Sequence, residues 1–418
     1  MMKKILYFLF CINISFSSEF KKGHILIDSQ TQNFLNRWVE KIYKVAKLSN
    51  PKVFVMIHPE LNAFADSFGR IVIHSETIIQ SESLEQLLGI LCHEIGHIAG
   101  HHHVRLQNQM RSMAGPMAAA TAIGALAAAI SGKGEALLAG VAAGMTVSER
   151  NFLSYMQGEE KSADAAAISY CKKLGIPLNG VIDFFKKIQS KTFVSDPYLG
   201  THPVVEDRIA SFQQVPVIQN KIPDADLKEF QIIRAKMIGI LKDKDISSLP
   251  KNMLPVKDFY HLYRLKKYTD ILKKGQELSS SDPYIMEFLG DVSFKIGDIK
   301  KTLDYYDKAR TKIKSVWLDL SYTHALTESN SLTNYKKGLN IVKVVVQKYP
   351  DLGLGWRIKA RLHSLLNQQD ELSLSMAEYG LSMSDIKLVE THAKRAQKSH
   401  NQRIRMRAEE LLQDIKPK

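Results

Sequence analysis

The sequence predicts a mostly α, α+β protein in two parts: an N-terminal domain with a small β-sheet, then an α-helical solenoid of tetratricopeptide-like repeats. Three observations carry this. The 418 residues suffice for two or three domains with cores of their own. Two short β-branched runs near the start lie among segments of helical periodicity. Beyond about residue 213 the chemistry-bearing residues give way to a repeat of roughly 34 residues.

Composition narrows the class further. Apolar residues make up 45% of the chain and no long low-complexity tract interrupts it, which excludes extensive disorder. Three cysteines cannot staple a chain of this size, so a disulfide scaffold is excluded as well. The net charge of +14 permits an anionic partner without requiring one. No dense Arg/Lys cluster interleaved with aromatics is present, so no nucleic-acid partner is expected.

Residues 1–17 read as a signal peptide. Lys3 and Lys4 form a basic start, and Ile5 to Phe16 is an apolar run too short to span a bilayer. Ser15 and Ser17 place small residues for cleavage after Ser17. The mature chain keeps only Cys92 and Cys171 and is expected to be exported and soluble.

The first folded domain is expected over 18–220. Gln30 to Ala46 places Phe34, Trp38, Ile42 and Val45 at helical spacing. Val53–Ile57 and Arg70–His74 read as strands on either side of a Phe68-Gly69 turn, and residues 83–110 show a long helical pattern. Over 113–146 the composition shifts to Ala and Gly, with apolar pieces Met117–Ile130 and Ala136–Met145. Each is shorter than the roughly 18 residues of a membrane span, so a helical hairpin or lid is expected. Peripheral membrane contact through 117–145 is the alternative.

Chemistry concentrates in residues 93–103. His93-Glu94-Ile95-Gly96-His97 is H-E-x-x-H, preceded by the apolar helical run Leu84, Leu87, Leu88 and Leu91. At i and i+4 on a helix, His93 and His97 can turn imidazole nitrogens toward one ion. Glu94, offset by about 100°, falls beside that ion, where a general base must sit.

Two third ligands compete. His103 completes H-E-x-x-H-x-x-G-x-x-H, the metzincin signature, with Gly100 as helix breaker. Glu160, in Glu160-Lys161-Ser162-Ala163-Asp164, would complete a His₂Glu site instead, with Asp164 one turn on to orient a ligating histidine. Val104, Leu106 and Met110 suggest that the helix runs on past Gly100, and three consecutive histidines make any one spacing cheap to obtain. Both points favour Glu160. His101–His103, His102 among them, then read as outer neighbours of the site or as solvated residues.

In this order the motifs resemble the zinc metallopeptidase family that includes HtpX and the CAAX prenyl proteases, and within it an exported, repeat-bearing branch. The resemblance covers residues 51–212 through these motifs and extends to the repeat half, so it takes in most of the mature chain. It rests on Asn62-Ala63-Phe64-Ala65, His93-Glu94-x-x-His97, Glu160-x-x-Ala163-Asp164, and Thr201-His202-Pro203 followed by Arg208-Ile209-Ala210. Met156-Gln157 replaces the Ser-Arg pair usual before the third-ligand helix. The resemblance implies a zincin-type metalloprotease domain with one Zn²⁺ per chain, held by His93, His97 and Glu160. It implies that His202 approaches the zinc and can hold the enzyme latent, and that His202 or Arg208 can stabilise an oxyanion. It also implies a periplasmic endopeptidase acting on misfolded or stalled outer-membrane protein precursors, with the β-barrel assembly machinery as partner.

A connecting helix and linker are expected over 221–257 and the repeat domain over 258–418. Pro283 and Pro350 stand 67 residues apart, close to two periods of about 34. Met286, Leu289, Gly290, Tyr306 and Ala309 fall where a tetratricopeptide repeat places its large, Leu, Gly, aromatic and Ala positions, and Trp356 follows in register. Stacked helix pairs make a surface for clients or partners. The expected mechanism has Glu94 take a proton from the attacking water and pass it to the leaving amine, with the Arg70–His74 strand as an edge for an extended substrate. A non-proteolytic adaptor is the other class, which the intact Glu94 disfavours.

Overall fold

The computed structural model describes residues 22–66, 69–102, 104–106, 147–190, 202, 206–218, 222–242, 248–278 and 282–415. The expected signal peptide, Phe68, His103, the 113–146 hairpin, Thr201 and Pro203 lie outside these residues. The described residues divide into two compact units, one mainly of 30–261 and the other mainly of 262–415. No described helix is long and apolar enough to cross a membrane.

The first unit begins with helix α1 (Ser29–Ala46). Phe34, Leu35, Trp38, Val39, Ile42 and Tyr43 recur at helical spacing and are all buried, so one apolar stripe seats the helix. Three strands follow: β1 (Lys52–Met56), β2 (Ala63–Ala65) and β3 (Arg70–His74). Their order is β1-β3-β2, with β1 parallel and β2 antiparallel to β3. The Arg70–His74 strand is therefore the centre of the sheet and not an edge. The physical reason is legible in its side chains: Ile71, Val72 and Ile73 are all buried, the near-continuous apolar run of a strand covered on both faces. The outer strands are β1, flanked by Gly23 to Leu26, and β2, whose Ala-Phe-Ala is too short and small to announce itself. Gly69, at φ +70, closes the β2–β3 hairpin.

Helix α2 (Ser75–Gln80) leads into α3 (Leu84–Ala99), which is capped by the Ser83 hydroxyl accepting from the Gln86 N–H. α3 stops at Gly100, and His101 adopts the left-handed conformation at φ 52. The expected run-on past Gly100 is thus wrong. Val104, read as part of the apolar stripe, is 49% exposed and does not hold that helix to the core.

Then come α4 (Val147–Leu174), α5 (Asn179–Ser190), α6 (Glu206–Gln213) and α7 (Asp224–Leu241). α7 is no linker. Phe230 packs against Phe34, and the buried Arg234 donates to the carbonyls of Ile79 and Ser248.

Helix α8 (Leu254–Arg264) crosses the division between the units. The second unit is a run of helices: α9 (Tyr268–Leu278), α10 (Pro283–Lys295), α11 (Ile299–Arg310), α12 (Val316–Thr327) and α13 (Leu332–Lys348). It ends with α14 (Gly353–Leu365), α15 (Gln369–Ser382), α16 (Ile386–Ala396) and α17 (Gln402–Asp414). Each helix packs on the next, which makes a helical solenoid. Asp282 caps α10 with Pro283 in its first turn, and a Cβ on Gly290 would meet the Tyr306 ring at 2.5 Å, so that glycine sets how closely α10 and α11 approach. Trp356 donates its indole N–H to the Pro350 carbonyl at 2.8 Å, which links two residues of the sequence repeat.

Candidate metal centre

The site is built by α3 and α4. Gly96 of α3 faces Ala163 of α4 while His102, just past α3, faces Glu159, so the two helices run antiparallel. A Cβ on Gly96 would stand 2.8 Å from the Ala163 carbonyl oxygen and 3.1 Å from its Cα, so a larger residue would push the helices apart. Glycine between the two histidines of the motif is what lets α4 deliver its carboxylates to α3.

Four buried side chains converge there: His93, His97, Glu160 and His202, with one donor atom from each inside a 4.8 Å span. The Nε2 atoms of His93 and His97 are 3.0 Å apart. Each is 3.3 Å from a Glu160 oxygen. His202 Nδ1 lies 3.3 Å from His93 Nε2 and 3.0 Å from Glu160 Oε1. Ligand bonds of about 2.0–2.1 Å put neighbouring donors of a tetrahedral ion roughly 3.3 Å apart, so these donors fit a divalent metal. Among the described residues this is the one group of its kind.

Glu94 stands beside the group, its Oε1 3.5 Å from His202 Nε2. It accepts a hydrogen bond from the Ala65 N–H. In the β2–β3 ladder Asp66 pairs with Arg70 and Asn62 with His74 through hydrogen bonds, so the intervening Ala63 and Ala65 turn their N–H and C=O groups away from β3. That is why the outer strand β2, and not the predicted β3, meets the H-E-x-x-H helix.

Behind the donors lies a row of orienting groups. Asp164 Oδ1 is 2.9 Å from His93 Nδ1. Arg208 is buried against both α4 carboxylates: Nε and Nη2 donate to Asp164 at 2.7 and 2.9 Å, and Nη1 is 3.0 Å from Glu160 Oε2. It also stacks on Phe185, with its guanidinium carbon 4.9 Å from the ring centre. Each guanidinium nitrogen thus faces a carboxylate, an arrangement that does not suit the oxyanion role expected of Arg208. His102 Nδ1 lies 2.8 Å from His97 Nδ1, and its Nε2 lies 2.8 Å from Glu159 Oε2. Glu159 escaped the sequence reading, although the doubled acid Glu159-Glu160 at the start of the E-x-x-A-D pattern was its signal.

Charge and burial oppose one another throughout. Burial works against a charged His93, but Asp164 and Glu160 outweigh it and hold the imidazole up at about 9. Burial pushes His97 down to about 3, only partly offset by Glu160. Burial also raises Glu94, against the pull of His202 and His93. Glu160 and Asp164 stay below the usual carboxylate range despite burial, Glu160 through its histidines and Asp164 through His93 and Arg208. The result is a dry cluster in which Glu160 and Asp164 are held in their charged form by the histidines and Arg208 around them.

This arrangement occurs within a stretch that matches a known family: residues 29–215 fit the model of peptidase family M48. Residues 29–215 thus resemble an M48 peptidase domain. Members of M48 are metal-dependent peptidases, and the four-donor group lies inside the matched stretch. The chain is also similar to the β-barrel assembly-enhancing protease of Yersinia pestis, at 23% identity over 252 residues, covering 56% of this chain and 51% of the relative. It is similar to the protein of that name from Escherichia coli K12, at 23% identity over 347 residues, covering 78% and 70%. The chain therefore spans about half the length of the first relative and 70% of the second.

Proposed function

We propose that this protein is a zinc-dependent endopeptidase of the periplasm that degrades misfolded or stalled outer-membrane protein precursors. The observation that carries the peptidase reading is the buried four-donor group within a 4.8 Å span, with the buried Glu94 carboxylate beside it. Zn²⁺ held by His93, His97 and Glu160 would act as a Lewis acid on a peptide carbonyl and lower the pKa of a water. Glu94, raised by burial, is poised to accept the proton of the attacking water and hand it to the leaving amine. His202 sits where a fourth donor belongs and would keep the resting enzyme latent, and its displacement by substrate frees an N–H for the developing oxyanion. Arg208 is assigned the task of holding Glu160 and Asp164 in place.

The client class is supported by the relatives, both named β-barrel assembly-enhancing proteases. Export through a cleaved signal peptide over 1–17 belongs to the same reading. The solenoid of 262–418 would serve as a tetratricopeptide-type platform for clients or for the β-barrel assembly machinery. The test combines metal analysis with cleavage of an unfolded protein such as casein. Wild type and Glu94→Gln should each hold one zinc per chain, while the mutant loses cleavage by about 10²–10⁴-fold. Cleavage at the wild-type rate in zinc-loaded Glu94→Gln would remove Glu94 from the chemistry.

A further inference from the structure

We propose that His102 and Glu159 form a positioning pair that sets the tautomer and ring plane of His97 from behind, as Asp164 does for His93; the inference rests on His97 being a metal ligand. The proton assignment follows from geometry. Two ring nitrogens 2.8 Å apart, His97 Nδ1 and His102 Nδ1, share one proton between them. His97 must offer a lone pair at Nε2, the nitrogen 3.0 Å from His93 Nε2, so its own proton sits on Nδ1 and points at His102. His102 Nδ1 is then the acceptor, which leaves the His102 proton on Nε2, and that nitrogen lies 2.8 Å from Glu159 Oε2 as a close charge contact outside hydrogen-bond alignment. A row of close contacts runs from the donor group through two imidazoles to a carboxylate.

The backbone is shaped for this pair. His102 and Glu159 are both buried, at 4% and 9% exposure. A Cβ on Gly100 would stand 2.1 Å from His102 Nε2, so glycine at 100 leaves the space that the ring occupies. His101, at φ 52, breaks the helix directly after α3, and His102 next to it sets its Nδ1 2.8 Å from His97 Nδ1. Gly100 thus acts here as room for an imidazole. Arg105 closes the pair from outside, with its guanidinium donating to the Gly100 carbonyl and lying 3.6 Å from Glu159.

The test uses the full-length protein stripped of metal and titrated with Zn²⁺ and Co²⁺ against a chelator, with the visible Co²⁺ spectrum as second readout. His102→Ala should weaken metal affinity by about 10–100-fold and alter the Co²⁺ bands. His102→Gln should stay within about threefold of wild type, because its carbonyl can accept from His97 and its amide can donate to Glu159. Wild-type affinity and spectrum in His102→Ala would overturn the proposal. So would equal losses in His102→Ala and His102→Gln, since a role in packing alone would not distinguish them. The underlying site reading fails separately, by undiminished metal binding in His97→Ala.

Discussion

Replacing Arg208 by alanine should damage stability before it damages chemistry. The guanidinium is 2% exposed and makes three carboxylate contacts of 2.7, 2.9 and 3.0 Å with Asp164 and Glu160. Removing one partner of a buried ion pair leaves the other desolvated and uncompensated, at a cost of about 3–5 kcal/mol. Loss of the stacking on Phe185 adds about 1 kcal/mol. A bound divalent ion supplies Glu160 with replacement charge, so the penalty should be smaller in the metal-loaded protein than in the stripped one. Arg208→Lys keeps the charge but loses the two-pronged grip on Asp164, and should fall between wild type and alanine. Urea denaturation of stripped and loaded protein, read by far-UV circular dichroism, measures all of these. An Arg208→Ala protein with unchanged stability and metal affinity, but cleavage lowered by about 10²–10³-fold, would refute the positioning role and restore Arg208 as an oxyanion donor.

Further outcomes follow from the same geometry. His202→Ala should raise cleavage of an unfolded substrate at matched zinc occupancy, because the open fraction scales activity; a large fall would make His202 catalytic instead. Gly96→Ala should cost about 1–3 kcal/mol and weaken metal binding, since backbone at Ala163 blocks the new methyl; normal metal affinity would show that α4 can give way. Acid should destabilise both units. Burial pushes His74 and His324 each down to about 4, so between pH 6.5 and 4 the unfolded chain binds protons that the folded chain refuses. Stability is then full above about pH 6.5 and falls as pH drops toward 4, by at most about 3 kcal/mol per histidine. Calorimetric melting that stays unchanged from pH 7 to pH 5 would contradict this.

The sequence by itself determined the elements whose signal is local. His93, Glu94 and His97 at helical spacing, and Glu160 and Asp164 one turn apart, depend on backbone geometry within a few residues, and all lie on the helices expected. Local periodicity cannot say which neighbour a strand takes. Arg70–His74 reads as a strand either way, and only the crossover of residues 57–62 makes it central and leaves Ala63–Ala65 outside, against Glu94. The same limit explains Gly100, whose role depends on where the His102 ring goes. It explains Arg208 as well, an ordinary surface residue by helical spacing until α6 carries it into a dry pocket with two carboxylates. Tertiary structure decided these points because burial and pairing are long-range: an ion pair gains its weight, and a strand its edge, from residues far away in the chain.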